Sequence, residues 1–271
     1  MKREAQIMIR VTINIILLFL VSSLIPLGSF ILPAYKIKKL PKLNSKNRLL
    51  ANLISGGVIY FIDDKLFFVY VGFFLLLEGA YYLFEMTSIE IFDRIFISTT
   101  ITTAVGYLLM KAFIGTPDNL ITIMDGMYRE YLILDQTVIT TMMGYIKQHL
   151  LFIMFTYSLV INYFTYFILK GKTYRKWNVS YLWILVYIVT FFIDKTLKID
   201  NFYVKNLYSI TTLIYVIYGI KVLYSMFREK IKWRVYGKGL AIVTACFFPI
   251  GIFILGVMNS FGIIKINKRR K

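Results

Sequence analysis

The chain has one cysteine, one histidine and five prolines in 271 residues. A lone Cys246 excludes an internal disulfide framework, and a lone His149 excludes a His-rich metal site. Charge is scarce too: 17% of residues are Asp, Glu, Lys or Arg, where soluble domains carry about 25%. Acid is scarcest, with 14 Asp and Glu against 32 Lys and Arg, for a net charge of +18. Apolar residues fill the rest, at 58% hydrophobic and 17% aromatic, with a mean hydropathy of +0.68. A soluble globular domain, a disordered chain and a collagen-like repeat are excluded together. The composition is that of a polytopic integral membrane protein.

A bilayer crossing needs about 20 apolar residues in a helix. Apolar runs fall at 11–34, 49–62, 66–84, 95–115, 150–169, 179–193, 206–227 and 240–258. They predict an all-α helical bundle of about eight hydrophobic segments, forming a single transmembrane domain over 1–271. The first and last segments carry breakers, Pro26 with Gly28 and Pro249 with Gly251. The stretch 116–149 mixes Pro117, Asp118, Asp125, Glu130 and Asp135 with apolar residues, which suits one or two amphipathic helices at the interface. Trp177, Trp183 and Trp233 stand at or near segment ends, where aromatic belts form. Lys2, Arg3 and Arg10 precede an apolar run without a small-x-small cleavage site, as in an uncleaved first helix.

The basic segments 1–10, 36–48, 170–178, 228–238 and 265–271 are expected inside. Even numbers of spans separate the middle three, which puts Asp63-Asp64, 116–149 and 194–205 outside. One span at each end breaks the parity. Either the broken segments double back, or both termini lie outside against the charge rule; the N-terminus is assigned to the cytoplasmic side and the tail is left open. The cations between spans thereby explain the net charge, and no nucleic-acid partner is expected.

No Walker A loop, Gly-x-Ser-x-Gly, His-Glu-x-x-His or Cys/His cluster occurs, so no catalytic residue, metal or cofactor is assigned. Cys246, flanked by Ala245 and Phe247, reads as a small buried residue. Glu78 stands out, because a carboxylate inside an apolar run must face protein, water or a partner. Helical spacing puts Val71, Leu75, Glu78, Tyr82 and Glu85 near one inward face. Its two readings are a substrate or proton site and a structural hydrogen bond. Thr99, Thr102 and Asn162 are the further candidate ligands, with helix-to-helix bonding or a return bond to the helix backbone as their ordinary roles. Lys111 and Lys221 lie close enough to segment ends to snorkel. Gly56, Gly57, Gly79, Ala80 and the Ala241/Ala245 pair mark expected close helix contacts.

Several short motifs carry a family likeness. Asn162-Tyr163 lies late in one span, before a basic segment with Trp177; Lys205-Asn206-Leu207 opens a later span that continues to Ile217-Tyr218-Gly219-Ile220. Leu255-Gly256-Val257-Met258-Asn259 closes the chain before its basic tail, and Ile25-Pro26-Leu27 and Leu32-Pro33 fit a broken first segment. In these the chain resembles the YybS-like family of bacterial membrane proteins, although Asn259 stands where members often carry Asp. That family is distantly similar to the substrate-binding subunits of energy-coupling-factor transporters. The resemblance implies a bacterial cell-membrane protein that binds a small molecule in a helical bundle and works with another membrane subunit. Those subunits use an Ala-x-x-x-Ala in their first helix for that partner; here the spacing occurs at Ala241/Ala245, in the last segment. Two functions follow as expectations: a small-solute-binding or transport-related membrane subunit, and a non-catalytic scaffold or assembly partner. The first predicts that Glu78→Gln loses solute binding without loss of folding.

Overall fold

A computed structural model describes residues 2–25, 28–131, 135–171, 178–198, 201–230 and 236–263. Among them every regular element is helical. The chain contacts itself in two compact units, residues 1–177 and 178–271. Pro26, Trp177, Trp233 and the tail 265–271 lie outside the described residues.

The first unit opens with α1 (Lys2–Leu24) and the short α2 (Ile31–Lys39). The expected break near Pro26 and Gly28 therefore splits the first apolar run into two helices. Asn14 Nδ2 donates to the Tyr35 hydroxyl at 2.8 Å and Ser29 Oγ to the Ser22 carbonyl at 3.3 Å, so α2 runs back along α1. A broken helix is tolerated inside a membrane only when its freed backbone groups find partners. Here Thr165 Oγ1 bonds the Phe30 carbonyl and Ser29 meets the Tyr157 hydroxyl at 2.9 Å.

Next come α3 (Ser45–Ile62), α4 (Asp64–Val69), a π-helical stretch Tyr70–Leu75 and α5 (Leu76–Glu85). Asn44 caps α3 through the Asn47 amide and Asp63 caps α4 through the Leu66 amide, so the Asp63-Asp64 turn is an ordinary helix start. α6 (Ile91–Phe113), α7 (Pro117–Tyr131), α8 (Gln136–Gln148) and α9 (Leu150–Lys170) complete the unit. α7 and α8 occupy the stretch expected to be amphipathic. An apolar core joins Val11, Ile15 and Phe19 of α1, Leu32 of α2, Ala51 and Ile59 of α3, and Tyr70 and Phe74. Phe19 meets both Tyr70 and Phe74 edge-on, with centroids 5.3 and 5.6 Å away.

The second unit holds α10 (Leu182–Phe191), a π turn Phe192–Thr196, α11 (Phe202–Lys230), α12 (Tyr236–Phe247) and α13 (Pro249–Ser260). α12 and α13 bend by 114° at the expected Pro249 break. α11 and α13 cross so closely that a Cβ on Gly219 would lie 1.9 Å from the Ile252 carbonyl oxygen, and one on Gly256 2.2 Å from that of Tyr215.

Among the described residues five helices are long and apolar enough to cross a membrane, or six if the bent pair α12 and α13 makes one span. The described residues are thus all-helical with several membrane-length helices, and the expected tally of about eight is not confirmed. The run 49–62 sits in α3, whose first turn Ser45–Arg48 is polar, and the run 179–193 yields only the 10 residues of α10 before its π turn.

Two further expectations change. Cys246 is exposed, because α12 buries the face of Ala241 and Ala245 and Cys246 lies one residue round from it. Val71 is exposed at 38%, whereas Tyr70, Phe74, Leu77, Glu78 and Tyr81 are buried. The π stretch inserts a residue per turn and so rotates the inward face away from straight helical spacing.

Candidate functional site

Leu32, Lys36 and Leu40 lie four residues apart and are all fully buried, while Lys38 and Lys39 point outward. Because α2 folds back into the first unit, this register carries an ammonium group into the bundle. Lys36 Nζ lies 2.9 Å from Glu78 Oε2 and donates to the Tyr70 hydroxyl, also at 2.9 Å. The Lys36 and Glu78 side chains are 0% and 6% exposed. Nζ also stands 4.8 Å from the Tyr70 ring centroid. The approach to Oε2 is a charge contact off the hydrogen-bonding direction, since that oxygen has no well-aligned hydrogen bond despite its closeness to Nζ.

α3 supplies the next wall. Arg48, Asn52 and Ser55 share one face at i, i+4 and i+7. Arg48 lies over the Tyr82 ring, with its guanidinium carbon 4.6 Å from the centroid, and Tyr82 is one turn beyond Glu78 on α5. Asn52 Oδ1, Ser55 Oγ and the Tyr82 hydroxyl are buried without hydrogen-bond partners. Buried polar atoms are rarely left so, and each calls for an explanation. Tyr70 also opens the π stretch, a distortion frequent at functional sites. Lys36, Arg48, Tyr70, Glu78 and Tyr82 therefore form one polar seam.

A second ionic cluster ties α5 to α6 and α9. Arg94 Nη1 lies 3.0 Å from Glu85 Oε1, and its other nitrogens donate to the Ile89 and Thr87 carbonyls at 2.6 and 2.9 Å. Lys170 pairs with the other Glu85 oxygen. The Tyr81 and Tyr166 rings meet beside it at 5.1 Å.

The four sequence candidates divide between separate contacts. Glu78 pairs with Lys36. Asn162 Oδ1 accepts from Ser98 Oγ at 2.8 Å, joining α6 to α9, while its Nδ2 returns to the Ser158 carbonyl. Thr102 bonds back to the Ser98 and Thr99 carbonyls of its own helix, and the Thr99 hydroxyl is buried without a partner. Of the packing candidates, Gly56 lies against Phe67, and Ala241 and Ala245 are buried. Gly57 and Gly79 face open space. Lys111 Nζ stands 5.1 Å from the Tyr107 centroid, and Lys221 Nζ 5.6 Å from that of Tyr218.

Sequence reasoning missed Lys36, Tyr70 and Arg48 as site residues. Lys36 opens a run of six cations ending at Arg48, which reads as a solvated loop. The signal that could have found it is the i, i+4, i+8 placing of Leu32, Lys36 and Leu40.

Of the motifs behind the family likeness, those around Gly219 and Gly256 meet in the second unit, while Asn162-Tyr163 and Leu32-Pro33 lie in the first. Gly219 and Gly256 form the α11–α13 crossing, and Asn259 Nδ2 donates to the Tyr218 hydroxyl, which also meets Asn178 Oδ1 at 3.4 Å. These contacts are packing contacts. A depression of about 380 Å³ on α1 is lined by Gln6, Ile9, Arg10, Ile13 and Asn14 and includes no seam residue. Among the described residues no cluster of three or more His, Cys, Asp or Glu could hold a metal ion. Comparison of the chain with protein-family models, curated proteins and solved structures returns no match.

Proposed function

We propose that the chain is a multi-pass protein of the bacterial cell membrane whose first unit binds a small solute, as a transport-related subunit with a cytoplasmic N-terminus. The observation that carries this reading is the buried Lys36–Glu78 pair, bordered by unpartnered atoms of Asn52, Ser55 and Tyr82. Charged groups within membrane helices are costly, and they characteristically line substrate or ion pathways. The resemblance to the YybS-like family supports the same reading. The non-catalytic scaffold is favoured by a different observation, the self-contained Ser98–Asn162 link between α6 and α9.

A solute site must be reachable by water. Ser55→Cys in a Cys246→Ser background is expected to react with a small water-soluble thiosulfonate, while Ile101→Cys on the exposed apolar face of α6 stays unreactive. Equal inertness at both positions would contradict the solute site and favour the scaffold.

A further inference from the structure

The charges of the seam do not cancel. Lys36 pairs with Glu78, and Arg48 stacks on the Tyr82 ring one turn beyond Glu78, so the seam holds two cations and one carboxylate. Among the described residues Arg48 has no carboxylate within ion-pair distance; its guanidinium rests on the Tyr82 ring, and no hydrogen bond occupies its five N–H donors. The neighbouring cluster offers no spare acid, because Glu85 is already shared by Arg94 and Lys170. An excess cation half-buried at a helix start is best compensated by an anion that can take the planar guanidinium fork in two bonds. Tyr82 and Ser55 add hydroxyls with no partner of their own.

Resting on the solute-site reading, we infer that the seam binds an oxyanion, a carboxylate or phosphate group, held by Arg48 over the Tyr82 ring and drawn in by the Lys36 ammonium. A singly charged oxyanion balances the excess cation of the seam. Glu78 keeps the Lys36 side chain in position when the oxyanion leaves.

The test uses the full chain in nanodiscs of zwitterionic phosphatidylcholine, with the unfolding midpoint followed against inorganic phosphate, acetate and chloride at constant ionic strength. Wild type is expected to show a saturable rise with phosphate or acetate beyond chloride. Arg48→Gln should lose the rise, Arg48→Lys should keep part of it, and Lys111→Gln should keep it whole. A parallel series in discs containing phosphatidylglycerol separates the sources: a rise already present there without added anion assigns the group to a lipid headgroup, and a rise only with added anion assigns it to a free solute. An identical response of wild type and Arg48→Gln to all three anions in both discs overturns the inference. A panel of neutral and cationic solutes in the same assay distinguishes the two levels. Saturable binding there that Arg48→Gln leaves intact and Lys36→Met/Glu78→Met abolishes keeps the solute site and rejects the oxyanion; no response to any solute rejects both.

Discussion

Lys36 and Glu78 hold each other inside the bundle, and neither charge is stable there alone. Removing one partner of a buried pair typically costs about 3–5 kcal/mol, because the survivor stays desolvated and uncompensated. Glu78→Gln, which the sequence presents as a mild probe of ligand binding, is thus expected to destabilise the first unit by about that amount. Replacing both residues, as in Lys36→Met/Glu78→Met, should recover most of the loss, since well-packed apolar side chains can substitute for a buried pair. Denaturant unfolding of the wild type, both single variants and the double variant measures the coupling, and purely additive effects would count against it. Asn162→Leu should cost less, about 0.6 kcal/mol, the mean worth of a side-chain hydrogen bond between membrane helices. Glu78 was legible in the sequence because an acid in an apolar run has to be explained. Its partner was harder to find, since Lys36 stands in a run of cations that reads as a loop, and its i, i+4, i+8 spacing with Leu32 and Leu40 gains meaning only once α2 folds back.

At the scale of elements, breaks and crossings decide the architecture. Pro249 ends α12 and opens α13, so that bend was readable from composition. The Gly219–Gly256 crossing was not, because each glycine is a single small residue on its own helix and the pairing exists only between helices. Gly219→Ala and Gly256→Ala must push α13 off α11, and each is expected to cost about 1–3 kcal/mol of overpacking. Gly57→Ala and Gly79→Ala meet open space and should be neutral or mildly stabilising, as Ala is the better helix former. Thermal unfolding of the four variants checks that order. On α8, the Asp135 carboxylate accepts the Thr137 amide at 2.8 Å, which holds it below the usual carboxylate range. Its cap therefore stabilises α8 above the unfolded value near 4 and is lost as pH falls through the lower folded value. Amide exchange at the start of α8 should rise at that low pH, and Asp135→Asn should flatten the response.

For the whole molecule, the return of α2 along α1 bears on the parity problem that the sequence poses at the N-terminus. That hairpin brings the start of α1 and the 36–48 segment to the same end of the first unit, in keeping with the charge rule. In a Cys246→Ser background, Glu90→Cys is expected to label from the cytoplasmic side and Gln136→Cys from the opposite side, since α6 lies between them. Labelling of both from one side would overturn the topology. The solute site itself is tested most directly by native mass spectrometry of full-length protein extracted gently from its own membranes. Wild type is expected to carry a small molecule that the equally folded Lys36→Met/Glu78→Met variant lacks. The same retained mass in both, or a bare chain in both, would contradict a solute site at Lys36 and Glu78.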